Sequence, residues 1–242
     1  MLKVNYFGAD VAAVYDEDTE MFSAQAVDPV VDYLTSLAGG GSALEFGVGT
    51  GRIALPLANR GVAVTGIDLS PHMLEQLAAK PGSEQITTVL GDFATTSVSV
   101  RFDAVYLVFN TIMNLTAQAE QVACFANAAA HLKKGGHFVN EVLVPRLQQL
   151  PFGKTTQVFA FSDNHIGVDE YDVVNQTLIS NHVHWRAGAA RRTRLPCRYV
   201  WPSELDLMAQ MAGMQLRHRW GGWRGEAFTA HSHTHVSVWQ RQ

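Results

Sequence analysis

The chain has 242 residues, 47% of them hydrophobic and 17% charged, enough to bury one sizeable core. A formal net charge of -4 excludes the basic footprint of a nucleic-acid binder, although Arg191, Arg192, Arg194 and Arg198 cluster locally. The two cysteines, Cys124 and Cys197, make no disulfide framework and no apolar run exceeds strand length, so a cytoplasmic protein with no membrane partner is expected.

Val11, Val14 and Tyr15, then Val27, Val30, Val31, Tyr33, Leu34 and Leu37, recur at helical spacing and predict two helices closing over the strands as a lid, residues 1–40. A βα alternation follows: strand 43–46, helix 52–59, strand 63–67, helix 71–79, strands 86–90 and 102–109, helix 117–132 and strand 138–144. Ser70-Pro71 supplies a cap with proline at the first helical position, and Thr116 with Glu120 close behind marks a second helix start. Such alternation predicts a parallel sheet with helices on both faces, binding ligands at the carboxyl ends of its strands. Segments 157–161, 166–174, 177–185 and 192–200 then read as four strands without intervening helices, before helix 203–211 and strands 216–220 and 235–239. The expected organisation is one domain, 1–242, with a core at 41–144, an antiparallel insertion at 145–200 and a closing segment at 201–242.

Between the first two strands lies Glu45-Phe46-Gly47-Val48-Gly49-Thr50-Gly51-Arg52, and Asp68 closes the second strand. Glycine lets the backbone bend sharply after a strand and approach a ligand with no Cβ in the way. A dinucleotide fingerprint, G-x-G-x-x-G, needs its third glycine at Arg52, which disfavours a dehydrogenase. The E-x-G-x-G-x-G pattern resembles motif I of the class I S-adenosylmethionine-dependent methyltransferases, with residues 30–144 covered by motif and the remainder by strand count. That resemblance implies an α/β fold with a seven-stranded mixed sheet of order 3-2-1-4-5-7-6, an N-terminal helical lid and an antiparallel β insertion before the last helix. It also implies that Glu45, Gly47, Gly49, Gly51 and Arg52 line the methionine part of S-adenosylmethionine and that Asp68 accepts the ribose hydroxyls. Leu69 and Met73 then flank the adenine, Gly91, Asp92 and Phe93 form the next cofactor loop, and Phe109 ends the fourth strand against the sulfonium. S-adenosylhomocysteine is the implied product.

No metal is expected, because the donor is already a cationic electrophile and His231, His233 and His235 lack a cysteine or carboxylate at ligand spacing. The stretch 109–115 lacks the Asn/Asp-Pro-Pro-aromatic signature of DNA-amine methyltransferases. It resembles the small-molecule branch of secondary metabolism, which implies a small-molecule substrate and a monomer or homodimer. Candidate positioning residues are Asn110 above the fourth strand, Tyr6 and Tyr15 from the lid, and His182, Trp185 and Trp201 from the insertion. Strand alternation puts His182 and His184 on one face and Trp185 on the other. A planar substrate could stack on Trp185, Tyr199 or Trp201 and meet a histidine at its edge. The expected reaction is N-methylation of a small heteroaromatic metabolite, such as an azapteridine-like toxin or antibiotic precursor; O-methylation and non-catalytic cofactor binding stay open.

Overall fold

The computed structural model describes residues 5–17, 19–186 and 188–242, so positions 1–4 of the expected lid lie outside the described residues. The lid is less helical than its periodicity predicts. Helix α1, Ala9–Ala12, is a single turn followed by a short 3₁₀ turn, Tyr15–Glu17. Helix α2, Ala24–Ala38, is the long element; it buries Val27, Val30, Val31 and Leu34 along one stripe and ends at Gly39 in the left-handed region.

The alternating core follows as β1 (Ser42–Phe46), α3 (Ala54–Ala58), β2 (Ala63–Asp68), α4 (Pro71–Ala78), β3 (Ile86–Leu90), β4 (Phe102–Leu107), α5 (Gln118–His131) and β5 (Leu132–Leu143). Ser70 caps α4 as expected, its Oγ accepting from Met73 N at 3.2 Å. Thr116 does not cap α5. Ala117 is the cap residue there, and the Glu120 carboxylate reaches back to accept from Ala117 N at 3.0 Å. Strands β6 (Thr156–Phe161), β7 (His165–Asp172), β8 (Thr177–Arg186) and β9 (Ala189–Arg198) form a separate antiparallel sheet, after which α6 (Pro202–Met211), β10 (Met214–Trp220) and β11 (Thr234–Arg241) return to the core.

The main sheet has seven strands in the order β10-β11-β5-β4-β1-β2-β3, with β11 antiparallel to both neighbours. This is the α/β architecture that motif I implied. Its middle strands are buried on both faces, so alternate residues feed two cores. Along β4, Phe102, Val105 and Leu107 join α5, α6 and the insertion, whereas Ala104 and Tyr106 join α2 and α3. Pairing of Glu45 with Gly66 on one side and Tyr106 on the other brings the carboxyl ends of β1, β2 and β4 side by side. Among the described residues, no helix is long and apolar enough to cross a membrane.

Candidate functional site

Directly after β1 the backbone enters the left-handed region at Gly47 (φ 71°) and Gly49 (φ 53°). A Cβ on Gly47 would lie 2.7 Å from Thr111 Cγ2, while one on Gly49 would meet nothing nearer than 4.0 Å and would stand in open space. Over this turn lies a cavity of about 100 Å³ that opens to solvent. Asp68 at the end of β2 faces it. Its Oδ2 accepts from Gly49 N and its Oδ1 from Ser70 N, both at 2.8 Å, and it also accepts from the Leu69 backbone, so the carboxylate fixes the turn. Burial pushes its pKa up, against those hydrogen bonds. Leu69, Met73, Asp92 and Phe93 line the same cavity. Asp92 Oδ1 accepts from Ala94 N at 2.9 Å, and Phe93 stacks on Phe46 with centroids 5.7 Å apart.

A second, narrower cleft adjoins the first, sharing Tyr15, Gly47, Gly49 and Thr111 with it and adding Glu45, Arg52 and Phe109. Glu45 is buried and accepts from Tyr106 OH at 2.9 Å; burial pushes its carboxyl up to about 8. Arg52 lies 4.8 Å over the Phe109 ring and donates to Met21 O at 3.3 Å. Phe109 and Asn110 both adopt left-handed backbone, φ 57° and 62°, a conformation that costs about 1–3 kcal/mol for a residue bearing a side chain. Glu141 at the end of β5 holds them there. Its Oε2 accepts from Phe109 N at 2.9 Å, its backbone oxygen accepts from Asn110 N at 3.2 Å, and its Oε1 accepts from Trp223 Nε1 at 2.8 Å.

The lid brings Tyr6 and Tyr15 to the larger cavity, with Tyr15 at the junction of the two spaces. Tyr15 stands edge-on to Phe7 and Phe22, at 6.3 and 6.5 Å. Burial raises its phenol pKa, so the hydroxyl keeps its proton. A clasp fastens this segment to the glycine turn: Thr50 Oγ1 donates to Asp16 Oδ1 at 2.6 Å, and Lys80 pairs with Asp16 while donating to Thr50 O at 2.6 Å. The Ser70 hydroxyl donates to Phe7 O.

Several expected site residues lie elsewhere. Gly51 and Gly91 line neither space: a Cβ at Gly51 would meet Leu77 Cδ1 at 2.4 Å and one at Gly91 would meet Thr96 Oγ1 at 2.2 Å, so both glycines answer packing constraints. Asn110 turns away from the cavity, its Oδ1 accepting from Leu143 N at 2.7 Å, because a left-handed residue at a strand end leaves a neighbouring backbone donor to be satisfied. Trp185 is 39% exposed on the face of β8 opposite His182. Trp201 starts α6 and packs edge-on against the buried Tyr199 at 6.3 Å. His182 faces Phe159 and His165, not the cavity; burial and the adjacent His165 and His184 push its imidazole down to about 4. The run His231, His233, His235 is divided, since His235 is fully buried and bonded to Ser237 Oγ at 2.8 Å while the other two are exposed.

Sequence reasoning missed the residues that join the insertion to the cavity floor. Gln121 on α5 donates to Ile112 O and Leu115 O, each at 3.2 Å, and to Arg198 O at 3.1 Å, while Arg198 donates to Gln121 and pairs with Glu204 at 2.7 Å. A glutamine in an apolar helix face was the available signal.

The residues present fit S-adenosylmethionine. A Cβ-free turn, a carboxylate at the end of β2, and a buried carboxylate beside a guanidinium match a ribose diol and an amino acid zwitterion. Residues 43–136 match the family described as a methyltransferase domain. The chain is 34% identical to the CcbJ methyltransferase from Streptomyces caelestis, with 98% of each chain covered and a TM-score of 0.86. It is 29% identical to the cypemycin N-terminal methyltransferase of a Streptomyces species, over 95% of this chain and 98% of that one. SAM-bound CalS10 from Micromonospora echinaspora, an amino pentose methyltransferase, shares the fold at 21% identity and a TM-score of 0.70, with 99% of each chain covered. Glycine turn, strand order and full-length similarity converge on one conclusion: the chain belongs to the class I S-adenosylmethionine-dependent methyltransferases, and S-adenosylmethionine is its cofactor.

Proposed function

We propose that the chain methylates an amine nitrogen of a small metabolite, with Tyr6 and Tyr15 setting the acceptor. The observation that carries this reading is the chemistry of the cavity lining, where the polar side chains besides Asp68, Asp92 and Thr111 are the phenols of Tyr6 and Tyr15 and the carboxamides of Asn5 and Asn114. Such groups align a neutral amine by hydrogen bonds, and a neutral amine needs no base before it attacks. A hydroxyl acceptor needs a proton acceptor, and the Tyr15 phenol is held protonated. The similarity to a protein described as an N-terminal methyltransferase supports the same choice of atom.

Bound S-adenosylmethionine supplies a methyl group on a sulfonium, an electrophile that needs no further activation. What remains for the protein is to hold and align. Asp68 would accept from the ribose hydroxyls, Arg52 offers positive charge to a carboxylate, and Glu45 would take the ammonium once that cation displaces its proton. Leu69, Met73 and Phe93 provide apolar walls for a flat base beside Asp92. The clasp of Asp16, Thr50 and Lys80 fixes the lid segment against the glycine turn, and alignment of reactants supplies about 7–11 kcal/mol in favourable cases. A heteroaromatic acceptor loses the support it had, because Tyr199 is buried, Trp201 packs on it and Trp185 points outward. The amine, not a ring, is the recognised element.

A panel of amino sugars, amino acid derivatives, nitrogen heterocycles and phenols, incubated with the full chain and S-adenosylmethionine and read by mass spectrometry, tests the proposal. Amines should gain a methyl group, faster as pH rises through the amine's own pKa. Methylation confined to phenols or alcohols would replace the proposal with an oxygen acceptor.

A further inference from the structure

We propose that His165, His182 and His184 form a three-imidazole site for a divalent transition metal of the zinc class on the insertion sheet, separate from methyl transfer. His165 on β7 stands directly opposite His184 on β8, and His182 lies two residues along β8 on the same face, opposite Gly167. The three rings are nearly parallel, with interplanar angles of 1°, 4° and 5°. One nitrogen from each falls within 4.8 Å of the others, and His165 Nε2 and His182 Nδ1 are 3.1 Å apart. Zinc binds imidazole nitrogen at about 2.0–2.1 Å, which sets two nitrogens on a tetrahedral ion about 3.4 Å apart. The His165–His182 pair is close to that spacing already. His184 closes the remainder by side-chain rotation, and three protein ligands leave the fourth position to water.

Two further features suit a cation at this place. Ser180 Oγ lies 3.2 Å from His182 Nε2 and is itself hydrogen-bonded to Asp169, so an imidazole donating from Nε2 presents its Nδ1 lone pair toward His165. Ligating histidines are commonly oriented by such an outer partner. Asp169 is buried and its Oδ1 has no hydrogen-bond partner, so a cation held by His182, in line with Ser180, adds to the compensation that Ser180 and Arg146 give this carboxylate. Phe159 walls the site: its ring occupies the space over Gly167, where a Cβ would lie 2.4 Å away, and stands edge-on to His182. Arg191, opposite His184 on β9, directs its guanidinium to Asp10 O at 3.0 Å.

The experiment is a titration of the chelator-treated full chain with zinc sulfate against a chromophoric chelator, with cobalt(II) as a spectroscopic probe of coordination and thermal melting as a check on folding. One equivalent should bind, with visible bands of tetrahedral cobalt. His165→Asn and His182→Asn should weaken binding at least about a hundredfold and Ser180→Ala about tenfold, the scale of losing an outer partner. His231→Ala and His233→Ala should leave it unchanged, and zinc should raise the melting temperature of the wild type but not of His182→Asn. No stoichiometric binding, or binding that survives in the His165→Asn/His182→Asn double variant, an adventitious ion only, would overturn the proposal.

Discussion

The glycine turn after β1 and the antiparallel sheet of β6 to β9 are both rich in polar side chains, yet they use them in opposite ways. At the turn, Asp68, Glu45 and Arg52 face open space, and what holds them also leaves capacity for a ligand. In the insertion, Asn181 bonds Val168 O and Arg192, His182 bonds Ser180 and His165, and Arg198 bonds Gln121 and Glu204. The ends of parallel strands diverge into loops with unfilled acceptors, whereas antiparallel neighbours stand opposite one another and largely pair, with Asp169 Oδ1 and the three-imidazole cluster as the exceptions. The insertion meets the turn at 111–115 through Arg198 and Gln121, and Trp185 and Trp201 do not line the cavity.

Breaking the Arg198 contacts should have the largest effect. Arg198→Ala takes the guanidinium from the buried Gln121 and from the half-buried Glu204, which keeps Gln118 and Gln176 as donors, and should cost about 1.5–3 kcal/mol in urea unfolding for each of the two hydrogen bonds lost. The variant that still folds should bind S-adenosylhomocysteine as the wild type does; equal loss of both would show that the insertion shapes the cofactor end.

On the cavity side the sharpest handle is Glu45. Unfolded, it ionises near 4.5; folded, it keeps its proton to about 8. Between those values the folded state binds more protons, so the stability of the cofactor-free protein should fall as pH rises and level off above about 8. At about 1.36 kcal/mol per unit of pKa the whole fall is on the order of 5 kcal/mol. Urea melts from pH 5 to 9 should show Glu45→Gln without this slope, and parallel slopes in both proteins would assign it to another group.

Asp68→Ala removes hydrogen bonds to a charged group, worth about 1.5–3 kcal/mol each, and should weaken S-adenosylhomocysteine about ten- to a hundredfold by calorimetry. Wild-type affinity there would place the ribose elsewhere. The smallest effect belongs to Trp185→Ala, exposed on the outer face of β8, which should change stability by no more than about 0.5 kcal/mol and methyl transfer by less than about twofold. A larger loss of turnover would return the insertion to the role of a substrate roof.

What the sequence by itself determined was the half of the molecule governed by local rules. Gly47 and Gly49 report backbone geometry that other residues rarely adopt, Ser70-Pro71 a helix start, and the alternation from residue 43 to 144 a parallel sheet with ligands at its carboxyl ends. Asp68, Leu69, Met73, Asp92, Tyr6 and Tyr15 could be named only through the resemblance that motif I carries, and all six line the cavity. Gly51 shares the left-handed backbone of the glycine turn at φ 84° and also packs against Leu77, whereas Gly91 carries the same letter for another reason, since only the packed Thr96 reveals why a Cβ is excluded. Asn110, Trp201 and His182 could not be assigned from spacing, because side-chain alternation says that two faces exist and not what each face meets. That was decided by contacts spanning long stretches of chain: Leu143 N on Asn110, Tyr199 against Trp201, His165 beside His182, and Arg198 on Gln121. Partners so far apart in sequence become neighbours only when two sheets and their helices pack, and tertiary packing alone chose which polar side chains face a ligand and which face each other.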